Sequence, residues 1–538
     1  MRSYFKRFNA PKTVAIALAV GVVFCGAPQS ADAQVTAFKQ AVAETGSRDE
    51  GIAKFYRNQN FEGVWTGTSD IHSARRSALL NALRHAGDHG LPTNRYDADA
   101  LERQMRNARS ARDLGVLEVE MTRVFLSYAR DIQSGALIPS KVVSAIKREV
   151  AYTDRTALMA GFLSSQPAAY LRSLAPRTME YSALMKQKML LQEQARNGGW
   201  GPAVKASSLK PGASGASVLT LRNRLMAMGY LHRSNAKTYD KAMTAAVKAF
   251  QKAHGLNVDG NAGSSTIKEI NKTIDARLRS VLVAMERERW LNKDRGTRHI
   301  LVNIPDFTAK IVDDGRVTFE TRSVVGANKS DRPTPEFSDT MTHMVINPSW
   351  YVPRSIIVNE YLPALKRNPN AVGHIEITDR RGRRVNRSAA NFAQYSARNF
   401  PYSMRQPPSS RNALGLVKFM FPNKYNIYLH DTPAKNLFSR EVRAYSHGCV
   451  RLRDPFDFAE ALLAKQEADP MGFFKSQLRT GRESRVNLET PVPVHIIYRT
   501  AYTDARGNLN FRRDIYGRDA QIWKALQKAG VELGTVQG

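Results

Sequence analysis

The chain has 538 residues, with 80 Lys and Arg against 48 Asp and Glu, a formal net charge of +32. The length allows two to four domains with large cores, and the charge favours polyanions as neighbours. The basic residues are dispersed, and no zinc-finger, RNP-type, phosphate-loop, H-E-x-x-H or C-x-x-C pattern occurs, which argues against nucleic acid, a nucleotide, a metal or another cofactor.

Arg2, Lys6, Arg7 and Lys12 precede the short apolar run Val14 to Phe24, and Ala31-Asp32-Ala33 follows. This reads as a cleavable export signal over residues 1–33. The run is too short for a membrane anchor, and bulky Phe24 disfavours a lipid anchor on Cys25. The mature chain is expected to begin near Gln34 with a net charge of +29, outside the cytoplasm and without stable membrane insertion.

Residues 34–46 are expected to be a linker and 47–200 a helical scaffold. Leu79, Leu80 and Leu83 share one helix face before Gly90-Leu91-Pro92, and Leu117 to Ile132 repeats the spacing with Val119, Met121, Val124, Phe125 and Tyr128. Phe55, Tyr56 and Trp65 are expected in the core. Asn197-Gly198-Gly199-Trp200-Gly201-Pro202 and Lys210 to Gly215 break the pattern as a linker. A compact unit then spans 205–272. Ser217 is expected to cap a helix bearing Val218, Leu221, Leu225 and Met228, stopped by Gly229. A second helix carries Met243, Val247 and Phe250 up to Gly255, and Ser264 or Ser265 caps a third with Ile267 and Ile270. With Ala246 to Gln251, His254-Gly255-Leu256 and Val258-Asp259-Gly260, this unit resembles the three-helix peptidoglycan-binding domain, which implies its fold more than its ligand.

Asp275 to Leu291 is another helical stretch, placed in a segment 273–296 that returns to the scaffold. From about Thr297 the period falls to two. Ile300, Val302 and Ile304 alternate, Asp313-Asp314-Gly315 marks a hairpin, and Met344 to Ile346, Tyr425 to His430 and Val492 to Tyr498 are further strands. A β-rich domain over 297–500 is expected, interrupted by a polar, Pro- and Arg-rich insert over 351–411 that can serve as a lid. Residues 501–538 form a C-terminal extension with a helix from Arg518 to Ala529. The fold class expected is multidomain α+β.

With Cys25 in the export signal, Cys449 is the single thiol, without an intramolecular disulfide partner. A lone Cys is commonly a small buried hydrophobe; the run Ser446-His447-Gly448-Cys449 suggests a nucleophile, which needs a general base in reach. His447 lies two residues away. His430, about nineteen residues upstream, shares a face with Asn426 and Tyr428 if Tyr425 to His430 is a strand. Spacing alone leaves both open.

His430, the gap, and Ser446-His447-Gly448-Cys449-Val450-Arg451 resemble the L,D-transpeptidase catalytic (YkuD-like) domain over about Thr297 to Leu463. Arg332 to Phe337, Asn347-Pro348-Ser349-Trp350, Asn412-Ala413-Leu414-Gly415 and Phe421-Pro422-Asn423 extend the likeness, and Glu286 to Leu291 fits the long Gram-negative members. Gln406-Pro407-Pro408-Ser409-Ser410 departs from the glycine usual there, which bears on the lid. The resemblance implies Cys449 as nucleophile, His430 as general base and later acid, and His447, Gly448 and Cys449 as the oxyanion-hole backbone. Arg451, Tyr428, Asn412 and Ser446 are expected at the substrate, with Arg451 as a structural ion pair and Ser446 as a turn residue the competing readings. Asp431 is a candidate orienter of His430. The implied activity is a periplasmic 3→3 cross-linking of peptidoglycan stem peptides through a thioester with loss of D-Ala. Water or an envelope protein's lysine are alternative acceptors, a non-catalytic wall-binding protein is the other class, and carbapenems are the implied inhibitors.

Overall fold

The computed structural model describes residues 31–534. The segment read as an export signal lies, up to residue 30, outside the described residues, so the cleavage expectation is not addressed by the fold. Among the described residues no helix is long and apolar enough to cross a membrane.

The N-terminal part is helical. Residues 34–46 are not a linker: they belong to the helix Ala31–Gly46, whose Ala41 and Val42 are fully buried against Ala111–Ser134. Apolar residues at helical spacing make the burial favourable. The long helix Ala111–Ser134 starts in a reciprocal cap between Ser110 and Asp113. Around it, Trp65, Phe125 and Phe162 form an aromatic cluster with ring centroids 4.8 to 5.8 Å apart. The helix ends at Gly135, at φ +90°, where a Cβ would lie 2.5 Å from the Trp290 indole nitrogen, so no side chain fits.

The next unit holds three helices, Ala216–Ala227, Lys241–Ala253 and Ser264–Ile270, around Val218, Leu221, Leu225, Met243, Val247 and Phe250. Two expected caps differ. The first helix is preceded by Gly215 and the third by Gly263, while the Ser217 hydroxyl donates to the Lys205 carbonyl (2.9 Å). The glycine-rich stretch before this unit is not a free linker either: Val204 is buried in the unit's core, and its N–H and carbonyl are both held by the Asn271 side chain (2.8 and 3.0 Å).

The helix Ile274–Trp290 then passes back along Met179–Arg196. Its Arg287 meets Glu336 of the β-rich domain (2.6 Å) and Asp519 of the terminal helix Arg518–Ala529 (2.9 Å), and Arg518 also reaches Glu336 (3.0 Å). All four residues are buried, so each charge depends on the others for solvation. The segment after residue 500 is therefore a wedge rather than an appendage: Ala501, Phe511, Ile522 and Leu526 are buried in clusters with scaffold residues such as Tyr181 and Val143, while Arg518 holds Glu336 of the β-rich domain.

In the β-rich domain the strands run in the order 444–446, 316–326, 450–452, 429–430, 417–420, 337–346, 484–497, 298–303 and 308–313. The last also pairs with 316–326, so the sheet closes on itself around a core of Ile300, Val302, Met344, Phe419, Leu429, Val450 and Ile496. The hairpin at Asp314 and Gly315 has φ of 49° and 76°, as a two-residue turn of this hand requires. Three strand expectations change. Ile304 lies in a 3₁₀ turn, Met344 to Ile346 is the end of a strand from Phe337, and Tyr425 to His430 contributes only Leu429 and His430.

The insert is a folded cap. Short strands Trp350–Tyr351, Ser403–Gln406 and Glu376–Thr378 form their own sheet, and Ile356, Leu362, Leu365, Ile377, Phe392, Phe400 and Met404 form a separate core. Its polar surface concealed that core in the sequence.

Candidate active site

Strands Leu429–His430 and Val450–Leu452 run parallel, pairing Leu429 with Val450 and His430 with Arg451. Side chains alternate across a strand. Leu429 and Val450 therefore enter the core, both fully buried, while Tyr428, His430, Cys449 and Arg451 turn to the other face. All four line one cavity of about 760 Å³ roofed by Trp350, Tyr351, Ile356 and Glu360 of the cap. Asn426, expected on the strand face, instead stands in a turn at φ +55° and still borders the cavity.

Cys449 is half-buried and is the free thiol among the described residues. Its S–H donates to the Asn426 carbonyl (3.4 Å). Burial pushes the thiol up to about 11, against weaker opposing effects of Tyr428 and the Arg451 charge. His430 is buried, its ring centroid 5.6 Å from that of Tyr428. Burial first, and then the Arg451 charge, push it down to about 3. The resting pair is thus a neutral thiol and a neutral imidazole. Asp431 does not orient His430: its carboxylate accepts from the Leu416 N–H (2.9 Å) and pairs with Lys435 (2.7 Å). Among the described residues, His430 Nδ1 has no hydrogen-bond partner.

His447 is placed differently. Its Nε2 lies 2.5 Å from Glu360 of the cap, and the same carboxylate oxygen takes Arg332 at 2.6 Å. The His447 ring is thereby tied to the mouth of the cavity. Glu360 sits on a π-helical turn, Ile357–Tyr361, a form that recurs at functional positions.

The turn before Cys449 corrects part of the expected oxyanion hole. The Gly448 N–H donates to the Ser446 hydroxyl (3.1 Å), and the Gly448 carbonyl accepts from Thr334 (2.7 Å). Gly448 supplies the bend instead, at φ +116°. The N–H groups of His447 and Cys449 have no partner among the hydrogen bonds of this loop. Ser446 is spent on the turn as well, its hydroxyl donating to the Cys449 carbonyl at 2.5 Å. It fixes the loop while still bordering the cavity.

Two expected substrate contacts separate. Asn412 is fully buried, and its amide donates to the Pro348, Gln406 and Pro407 carbonyls (3.1, 3.1 and 2.9 Å), so it braces the base of the cap and does not face the cavity. Arg451 does face it and, among the described residues, has no carboxylate partner and leaves its Nε unpaired. Burial lowers its pKa, so a substrate carboxylate would relieve an unsatisfied cation. The departing loop at Gln406 is held from within, the Gln406 side chain joining the Arg411 carbonyl (3.0 Å) and the Ala413 N–H (2.9 Å).

Sequence reasoning does not reach Glu360 or the aromatic roof. The signal available for Glu360 was its rarity: with Glu376 and Asp379 it is one of three acids among eleven Lys and Arg residues between 351 and 411. Among the described residues, no group of acidic, His or Cys side chains is arranged to hold a metal.

Three family models match the chain. Residues 297–494 match the L,D-transpeptidase catalytic domain, 50–187 a scaffold domain, and 214–270 a "Putative peptidoglycan binding domain". Over 229 residues the chain is 35% identical to a Haemophilus influenzae protein named "Putative L,D-transpeptidase", covering 41% of this chain and 45% of that one. The chain thus spans under half the length of that relative. Solved L,D-transpeptidases from Xylanimonas cellulosilytica (16% identity, TM-score 0.18, 55% of this chain and 100% of that one) and Stackebrandtia nassauensis (15%, 0.21, 55% and 97%) also overlap it. Overlaps of that size leave the fold resting on the strand pairings above. By its family matches, the chain carries an L,D-transpeptidase catalytic domain at residues 297–494, behind a scaffold domain and a peptidoglycan-binding domain.

Proposed function

We propose that this chain is a peptidoglycan L,D-transpeptidase acting outside the cytoplasm, with Cys449 as nucleophile and His430 as base. The observation that carries the reading is the common face of His430, Cys449 and the unpaired Arg451 inside one capped cavity. Cys449 Sγ attacks the carbonyl of the third stem residue, a meso-diaminopimelate, while His430 takes the thiol proton. Because thiol and imidazole are both neutral at rest, that transfer accompanies C–S bond formation rather than preceding it. The oxyanion faces the His447 and Cys449 N–H groups. Collapse breaks the peptide bond, and the leaving D-Ala amine receives the proton from His430. The thioester is then attacked by the amine of a second stem, which gives up its proton and releases the thiol, leaving a 3→3 link. Arg451 holds a stem carboxylate, and the cap limits water.

The deciding experiment is muropeptide mass analysis of sacculi incubated with the full protein and with Cys449→Ala. New tripeptide-linked dimers made only by the unsubstituted protein support the reading. Shortened monomers alone make water the acceptor, and a protein adduct on the third stem residue makes it a wall-to-protein ligase. Identical profiles with both proteins refute the nucleophile.

A further inference from the structure

We infer that the cleft between the three-helix unit, the scaffold helix Met179–Arg196 and the hairpin over 501–511 binds an uncharged glycan chain of N-acetylhexosamines. This rests on the proposed wall substrate and assigns a different part of it to a second site. The cleft measures about 830 Å³, larger than the cavity at Cys449.

Its walls are fixed. The His254 ring stacks on Phe250 (3.8 Å between centroids) and on Phe511 of the hairpin (5.5 Å). The Arg277 guanidinium covers Phe511 from the scaffold side at 4.4 Å, and Arg512 donates to the Ala253 carbonyl (3.1 Å). The three-helix unit is therefore docked rather than tethered, and the cleft exists before any ligand arrives. Preformed walls reduce the ordering cost of binding.

The lining points to a neutral ligand. In a chain of net charge +32, the cleft sets Glu193 and Asp504 against Lys252 and Arg506, and the remaining cation, Arg277, already pairs with Glu269 (3.1 Å). Stem peptides carry free carboxylates and would gain more beside Arg451. What the cleft offers instead is a half-buried indole, Trp200, projected by a turn of glycines at positive φ and steadied by Gln194 (3.2 Å). The side-chain amides of Asn197, Asn508 and Gln194 line the same cleft, that of Asn508 donating to Asp504 (3.1 Å). A pyranose ring presents an apolar C–H face to an aromatic plane, and its hydroxyl and acetamido groups exchange hydrogen bonds with planar amides, which donate and accept at once.

The test uses the full chain and a soluble N-acetylglucosamine tetramer in calorimetry, with mass-detected acylation of Cys449 by a carbapenem followed in the same preparation. Saturable binding is expected, with Trp200→Ala weakening it roughly tenfold, Trp200→Phe retaining most of it, and Asn508→Ala weakening it less. Acylation should be equal in all these variants. Absence of tetramer binding, binding indifferent to both Trp200→Ala and Asn508→Ala, or displacement of the tetramer by a free stem peptide overturns the assignment. If Trp200→Ala does not fold, Trp200→Phe and Asn508→Ala decide it. Lost acylation with intact sugar binding would count against the transpeptidase reading and leave this site standing.

Discussion

A thiol whose proton is held by burial should betray itself in its pH profile. Burial raises Cys449 from its ordinary 9.0 to about 11. Each unit is a factor of ten in the thiolate fraction, so well below pH 9 Cys449 should carry roughly a hundredfold less thiolate than an ordinary thiol. The hydrogen bond from Sγ to the Asn426 carbonyl acts in the same direction, since it engages the protonated form. The assay is alkylation by iodoacetamide from pH 6 to 9.5, read by intact mass, with a free cysteine peptide as reference. The rate should climb tenfold per pH unit with no plateau and stay far below the reference. Because His430 is pushed down to about 3, no inflection should appear between pH 5 and 8, and His430→Ala should leave alkylation nearly unchanged. If the proposed roles hold, a carbapenem carbonyl meets the His447 and Cys449 N–H groups and the His430 base, so its acylation should outrun alkylation and should collapse in His430→Ala. Slow alkylation alone would not separate a structural thiol from a catalytic one; the contrast between the two reagents does. A plateau in alkylation above pH 6 to 7 that disappears in His430→Ala would mean a preformed thiolate–imidazolium pair, and the coupled proton transfer argued above would be wrong.

Glu360→Gln removes a charge from the contact that ties the cap to Arg332 and His447; because the pair is about a third exposed, the melting temperature should barely move, while KM for a stem peptide rises up to roughly fivefold with kcat little changed, and steady-state kinetics on a soluble donor would show it. Glu336→Ala leaves Arg287 and Arg518 buried without their shared carboxylate, so urea unfolding should report a loss of about 3–5 kcal/mol, and a loss under about 1 kcal/mol would mean the hub is solvated in some other way. Burial holds His89 and His495 down to about 4 and His430 to about 3. The folded state therefore binds fewer protons than the unfolded one between those values and 6.5, so their contribution to stability is complete above pH 6.5 and is lost as pH falls toward 4; melting curves at pH 7.5, 5.5 and 4.5 should fall in that order, and identical curves at 7.5 and 5.5 would contradict it.

What the sequence made legible follows the range of the interactions involved. Helical spacing around Leu117 to Ile132 and in the three-helix unit, and the turn at Asp314-Gly315, are local, and each appears where its residues imply it. The common face of His430 and Cys449 was half legible. The motif pointed to both residues, but the expected strand from Tyr425 shrank to two residues, because Asn426 takes a positive φ and Asn423 folds the segment into a turn through the Tyr425 and Ile427 N–H groups. What brings the four side chains onto one face is the parallel register with Val450–Leu452, a pairing across twenty-one residues that no pattern within either strand encodes. The same reason hid the errors at Asn412 and Gly448. Both sit where the motif places them, yet their hydrogen-bonding capacity is consumed by Pro348, Gln406 and Ser446, and only a closed tertiary structure shows which donors remain. Glu360 is the extreme case. It lies 87 residues from His447, in an insert whose surface reads as polar and basic, and its role at the mouth of the cavity exists only because a core of Ile356, Leu362 and Phe392 lets that insert fold and dock. A motif names the atoms able to do chemistry; which of them stay free to do it is decided by partners far away in the chain.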